Sequence, residues 1–140
     1  MKKILLFLAF GIGIGLSGCA NTATPPDDSP TTPENSAEYR KITAEQAKEK
    51  MDETDGWILL DVRTDVEFKE SRIEGAILIP DYEISDRVES ELPDKDALIL
   101  IYCRSGRRSA LAANEMVSMG YTNVYDFGGI IDWPYDTVSG

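Results

Sequence analysis

Histidine is absent from the 140 residues, and cysteine occurs only twice. Without histidine the chain cannot form a Ser-His-Asp or Cys-His catalytic pair, nor a metal site with imidazole ligands. Two cysteines are too few for a four-thiolate zinc site or for a scaffold held by several disulfides. We therefore expect no metal site and no cofactor.

Basic residues are also scarce. The chain holds 14 Lys and Arg against 25 Asp and Glu, a formal net charge of −11. Proteins that bind nucleic acid carry clustered basic surface, so we expect no nucleic-acid partner. The length suits a single domain of roughly 100–150 residues, and no internal repeat is visible.

The apolar run at residues 4–16 is too short to span a membrane, because a helix crossing ~30 Å needs roughly 20 residues. It follows two lysines, as the hydrophobic region of a secretory signal does. Residues 16–19 (LSGC) resemble the bacterial lipobox, where a signal peptidase cuts before the cysteine and diacylglycerol attaches to its thiol. We expect a lipoprotein signal peptide at 1–18 and lipidation of Cys19. The alternative is an ordinary signal peptide with a chance cysteine.

Residues 20–38 contain four of the seven prolines and no aromatic or long aliphatic side chain. Such a segment cannot bury enough apolar surface to offset the entropy lost on ordering. We interpret residues 19–38 as a lipidated cysteine and a disordered tether that holds the domain on the extracytoplasmic face of a bacterial cell membrane. The residue directly after Cys19 is Ala20 rather than Asp, which in a bacterium with two membranes favours anchoring in the outer membrane. A plain disordered tail is the alternative.

Residues 39–140 alternate between apolar runs and helix signals. The runs lack interleaved polar residues, which is typical of strands buried on both faces; they stand at 57–60, 76–79, 97–102 and 124–127. Capping boxes and amphipathic spacing predict helices at 43–53, 64–70, 84–92 and 109–119. The pattern predicts one α/β domain, a central parallel sheet with helices on both faces. Its site should lie at the carboxyl ends of the strands.

Cys103 follows directly on the run 97–102 and precedes the helix expected at Ser109. The free N–H groups of a helix N-terminus form a cradle for an anion, and Gly106 permits the positive φ that a tight loop needs. Helix N-termini and nearby arginines can lower a cysteine pKa from about 8.5 to roughly 3.5–7.5. We expect a reactive thiolate at Cys103. A buried structural cysteine is the alternative.

Residues 103–109 (CRSGRRS) resemble the active-site loop of single-domain rhodaneses, a family of sulfurtransferases. The resemblance covers about residues 39–140. Three further segments carry it. The first is DVR at 61–63, followed by EF at 67–68; the second is RIEGA at 72–76, followed by IP at 79–80; the third is GG at 128–129, followed by Trp133. Arg72 departs from the pattern, because many members have histidine there. That histidine is not the nucleophile, so the departure does not put activity in doubt.

The resemblance implies that Cys103 takes sulfur from thiosulfate or a persulfide and passes it to cyanide or a thiol. It also implies that the loop binds the anionic donor; the loop residues are Arg104, Ser105, Gly106, Arg107 and Arg108. Of the three arginines, Arg108 is the one that we expect to pack or pair beneath the loop.

Two alternatives to a sulfurtransferase stay open. A phosphatase or arsenate reductase of the same fold uses a loop one residue longer, Cys-x5-Arg, whereas here the arginine lies five positions after Cys103 and Ser109 lies six after it. A non-enzymatic sulfur carrier would need the same thiolate. Elsewhere we expect Asp61 and Arg63, at the carboxyl end of a strand, to pair with each other or with neighbours; the alternative is that they border the site. We expect Trp57 and Trp133 to be core anchors rather than substrate platforms.

Overall fold

The structure is a computed structural model that describes Gly15 and residues 38–140. The predicted signal peptide at 1–18, the lipidation of Cys19 and nearly all of the tether lie outside the described residues. Within the described part of the chain, no helix is long and apolar enough to cross a membrane.

Five strands form one sheet in which every neighbouring pair is parallel. The order across the sheet is β1-β5-β4-β2-β3. The strands are β1 (Arg40–Lys41), β2 (Ile58–Asp61), β3 (Ala76–Leu78), β4 (Ile99–Cys103) and β5 (Val124–Gly129). All five residues of the central strand β4 are buried, which explains its uninterrupted apolar sequence. The predicted parallel α/β fold is confirmed.

Four helices connect the strands: α1 (Ala44–Glu53), α2 (Asp65–Glu70), α3 (Ile84–Glu91) and α4 (Arg107–Ser118). Short 3-10 turns follow β3 and β5 at Asp81–Glu83 and Ile130–Asp132. Both predicted capping boxes are present, with Thr43 and Thr64 as the cap residues of α1 and α2. In each box the threonine side chain and a Gln or Glu three residues later satisfy each other's free backbone N–H groups.

The helices cover both faces of the sheet, and each face has its own apolar core. One core joins α3 and α4 to the sheet; its members include Val88, Met116, Leu60, Ile101 and Cys103. The other joins α1 to the opposite face; its members include Ala47, Leu59, Leu100, Phe127 and Trp133. Trp57 packs against this second core, so both tryptophans are core anchors as expected.

Two element boundaries differ from the prediction at the point where the site is built. Cys103 is the last residue of β4 rather than the first residue after it. Helix α4 begins at Arg107 rather than Ser109, because Gly106 takes a left-handed conformation (φ 98°) and turns the chain into the helix early. The loop between strand and helix therefore consists of residues 104–106 alone.

Candidate active site

Cys103 lies at the carboxyl end of the central strand, beneath the start of α4. The residue is only 1% exposed. Its Sγ accepts a hydrogen bond from the backbone N–H of Gly106 at 3.0 Å. The loop therefore curls over the sulfur and directs a backbone donor at it, as an anion site at a helix N-terminus does.

Two opposing effects act on the pKa of the Cys103 thiol. Burial raises the pKa, because it disfavours the charged form. Polar groups around the sulfur lower the pKa and together outweigh the burial: the Ser109 hydroxyl first, then the backbone N–H groups of Ser109, Gly106 and Ser105. The net pKa lies below the ordinary cysteine value, so the thiolate is favoured without any histidine.

The end of β5 packs directly against the loop backbone, and glycine makes this contact possible. A β-carbon on Gly129 would lie 2.2 Å from the carbonyl oxygen of Arg104 and 2.6 Å from the Cα of Ser105. On Gly106 it would lie 3.3 Å from the Cα of Gly128. The two adjacent glycines of β5 thus serve the site by leaving room for the loop.

Ser109 is a site residue that the sequence marks only as the expected start of the helix and as the sixth position after Cys103. It is fully buried, and its Oγ lies 3.2 Å from the carbonyl oxygen of Gly106 and 3.3 Å from that of Gly128. The hydroxyl therefore joins loop, helix and β5 beside the sulfur. The signal available in the sequence was a hydroxyl residue just after the arginines, at the expected start of a helix.

Asp126 supports the same strand end from below. Its Oδ1 accepts a hydrogen bond from the N–H of Gly128 at 3.0 Å, and the residue is fully buried. Its Oδ2 has no hydrogen-bond partner within the described residues. The carboxyl group holds Gly128 in the turn that brings β5 against the loop.

Arg108 is held by a carboxylate from α2. Its guanidinium donates two hydrogen bonds to Glu67, at 2.9 Å and 2.8 Å, in the bidentate geometry that suits this pair. Glu67 also accepts hydrogen bonds from the N–H and hydroxyl of Thr64. Hydrogen bonding from Arg108 outweighs the partial burial of Glu67 and, with that from Thr64, lowers its pKa to about 2. Glu67 in turn raises the pKa of Arg108.

Arg104 and Arg107 are the two exposed arginines of the loop region. Both are exposed, and neither has an ionic partner among residues 38–140. Their positive charge is therefore available at the rim of the loop for an incoming anion.

Asp61 and Arg63 form a closed pair at the neighbouring strand end. The Arg63 guanidinium contacts both carboxylate oxygens of Asp61, at 3.0 Å from Nε and 2.6 Å from Nη2, and it donates to the carbonyl of Ser71. Asp61 is fully buried and Arg63 is 4% exposed. These residues pair with each other, as expected from the sequence.

The described residues contain no group of three or more acidic or cysteine side chains placed to hold a metal ion. The site combines one buried thiol of lowered pKa with a backbone N–H donor directed at its sulfur and two exposed arginines that have no ionic partner among residues 38–140. Such a site can attack an anionic substrate and hold a negatively charged sulfur afterwards.

Comparison with known proteins agrees with this geometry. The rhodanese-like domain family matches residues 43–134. Thiosulfate sulfurtransferase PspE of Escherichia coli is 37% identical over 84 residues, which cover 60% of this chain and 79% of that protein. A sulfurtransferase of Allochromatium vinosum is 37% identical over 94 residues, 66% and 86% of the two chains. A solved rhodanese with anions from E. coli has a TM-score of 0.57 and 34% identity, covering 60% of this chain and 99% of that one.

Proposed function

Because this chain belongs to the rhodanese-like domain family and is a sulfurtransferase, we propose that Cys103 is the nucleophile that carries the sulfur as a persulfide. The observation that carries the proposal is the 3.0 Å hydrogen bond from the Gly106 N–H to Sγ, at a thiol whose pKa is lowered. The thiolate is the reactive form of cysteine, so donors aimed at the sulfur activate it in a chain that has no histidine to act as base.

In the first half-reaction the Cys103 thiolate attacks the outer sulfur of thiosulfate. A bond forms between Sγ and that sulfur, and the sulfur–sulfur bond of thiosulfate breaks. Sulfite leaves with the electron pair, and Cys103 becomes a persulfide. In the second half-reaction a nucleophilic acceptor, cyanide or a thiolate, attacks the outer sulfur and releases the Cys103 thiolate.

The loop residues have separate roles in this scheme. The N–H groups of Ser105 and Gly106 stabilise the sulfur anion, because preorganised donors at the position where charge sits are an effective form of catalysis. Arg104 and Arg107 attract the anionic donor and stabilise the departing sulfite. Arg108 acts as a positioning residue, because its guanidinium is occupied by Glu67 and fixes the first turn of α4.

Turnover of thiosulfate and cyanide by the full chain tests the proposal, with Cys103→Ser as the matched variant. We expect thiocyanate from the wild type, and an intact mass greater by one sulfur atom when cyanide is left out. Absence of both from the wild type would contradict the proposal. A persulfide without thiocyanate would indicate a sulfur carrier, and hydrolysis of a phosphate ester would favour the phosphatase alternative.

We further propose that the protein is a bacterial lipoprotein anchored through Cys19 on the extracytoplasmic side. Support comes from the sequence, where LSGC at 16–19 follows a positively charged and then apolar segment. Cys19→Ala should release the protein from the membrane fraction or leave it unprocessed. Retention in that fraction at the mature size would contradict the lipid anchor.

A further inference from the structure

A groove of about 550 Å³ lies on the α1 face of the sheet. Its apolar lining belongs to the core that packs against α1, whereas Cys103 belongs to the core on the opposite face. Ile73 and Met51 are aliphatic members of the lining. Cavities of this size, roughly 300–1,000 Å³, are typical of sites for small organic ligands.

Three aromatic rings line the groove: Trp57, Trp133 and Tyr135. The indole N–H groups already donate within the protein, from Trp57 to the carbonyl of Met51 at 2.9 Å and from Trp133 to that of Asp136 at 3.3 Å. The tryptophans therefore line the groove with ring atoms rather than free hydrogen-bond donors; Trp57 is half-buried and Trp133 is 9% exposed. Aromatic ring faces carry partial negative charge and attract cations.

The Trp57 ring packs closely over residue 75, and this contact is possible because that residue is glycine. A β-carbon on Gly75 would lie 3.3 Å from the Trp57 ring, and the residue has a φ of 85° that disfavours side chains. Trp133 and Tyr135 meet edge to face, with ring centroids 4.9 Å apart. Packing within the protein thus fixes the positions of the aromatic rings on both sides of the groove.

The charged residues around the groove are mostly acidic. Lys48 forms an ion pair with Asp52, and its ammonium lies 6.0 Å from the centre of the Tyr135 ring. Glu74 and Asp136 are exposed and have no ionic partner within the described part of the chain. The groove therefore combines ring surfaces with two uncompensated negative charges.

We propose that this groove binds an organic cation with a quaternary, fully methylated ammonium group. Such a group has no N–H to hydrogen-bond, is held by aromatic faces, and gains from nearby carboxylates. An anion would meet Glu74 and Asp136, so this site differs in charge preference from the loop at Cys103. Cation binding in this groove is independent of the sulfur transfer at Cys103.

Intrinsic fluorescence of the full chain provides a direct test, because its only two tryptophans both line the groove. Choline is the probe, and 3,3-dimethyl-1-butanol is its neutral isostere. We expect a saturable change with choline and binding weaker by at least about tenfold with the isostere. Equal binding of the two compounds, or no saturable change with choline, would overturn the proposal.

Variants of the acidic residues locate the site. Glu74→Gln and Asp136→Asn should each weaken choline binding about threefold or more, since each removes a nearby charge. Asp86→Asn, an exposed acid on α3 at the opposite face, is the matched control and should leave binding unchanged. If the double variant Glu74→Gln/Asp136→Asn binds choline as the wild type does, the assignment is wrong. Sulfur transfer should be unchanged in all three variants, which separates this test from that of Cys103.

A methylated ammonium group can come from a free solute or from a lipid headgroup. Dihexanoylphosphatidylcholine, kept monomeric, distinguishes the two sources. Tighter binding than choline would support a headgroup as the source, and weaker binding would support a free solute. Binding of neither compound would overturn the proposal.

Discussion

Strands β2 and β4 lie side by side, with Asp61 opposite Tyr102, yet the charged residues at their carboxyl ends are arranged in opposite ways. At the end of β2, Asp61 and Arg63 satisfy each other and are both buried. At the end of β4, donors converge on Cys103, and Arg104 stays exposed without an ionic partner among residues 38–140. Charges at the same edge of one sheet thus stabilise the fold in one place and remain available to a ligand in the other.

The two strand ends differ in the groups that stabilise the negative charge of Asp61 and of the Cys103 sulfur. Asp61 finds its partner two residues away, so the pair closes locally and holds the β2 turn through the carbonyl of Ser71. The sulfur of Cys103 is instead surrounded by N–H groups of a curled loop, which stabilise a negative charge without a countercharge of their own. Such a site can exchange one anionic group for another.

Arg63→Ala should have the largest effect on stability. It leaves Asp61 buried and unpaired, which costs about 3–5 kcal/mol of the free energy of unfolding. Arg104→Ala, the matched change at the other strand end, should cost no more than about 0.5 kcal/mol, because the side chain is exposed. Urea unfolding followed by circular dichroism measures both values. Equal losses of unfolding free energy in the two variants would contradict the contrast between the buried, paired Arg63 and the exposed Arg104.

Arg108→Ala should lower thiosulfate turnover by about 10- to 100-fold, as expected for loss of a bidentate charged hydrogen bond of about 1.5–3 kcal/mol. The change also leaves the Glu67 carboxylate unpaired beside a loop that must accept an anion. Arg72→Ala is the control, since Arg72 binds the carbonyl of Gly140 at 2.6 Å and stacks on Phe68. A larger loss of kcat/KM in Arg72→Ala than in Arg108→Ala would overturn the roles given to these arginines.

Glu67→Gln should have a smaller effect that depends on pH. The folded pKa of Glu67 is lowered from 4.5 to about 2, so its ionised form stabilises the fold above pH 4.5, and this stabilisation is lost as the pH falls towards 2. We expect a loss of about 1–2 kcal/mol at neutral pH, with wild type and variant converging in acid. Thermal unfolding from neutral pH to pH 3 measures the difference.

Glu70→Gln, an exposed acid at the end of the same helix, is the control for Glu67→Gln. It should show no such convergence. A difference between wild type and Glu67→Gln that stays constant with pH would contradict the ion pair with Arg108.

Local sequence was sufficient for much of the fold. The capping boxes at Thr43 and Thr64 involve residues three positions apart, so they can be read directly and are confirmed. The apolar run at 97–102 predicts a buried strand from local sequence alone, and the structure has that strand, β4, at Ile99–Cys103. The two-residue strand β1 was missed because Arg40 and Lys41 are exposed and polar.

The parts of the site that escaped prediction depend on contacts between distant segments. Glu67 was recognised as a capping residue, but its bond to Arg108 spans 41 positions of sequence. The closeness of Gly129 to Arg104 appears only once β5 lies beside β4. Ser109 could not be placed beside the sulfur because the early start of α4 depends on the left-handed turn at Gly106.

The donors of the loop and of the start of α4, rather than a neighbouring base, lower the pKa of the Cys103 thiol. The most direct measurement is the ultraviolet absorbance of the thiolate as a function of pH, taken as the difference between wild type and Cys103→Ser. We predict a single transition with its midpoint below the ordinary cysteine pKa of about 8.5. A midpoint at or above that value would contradict activation by the N–H groups of the loop.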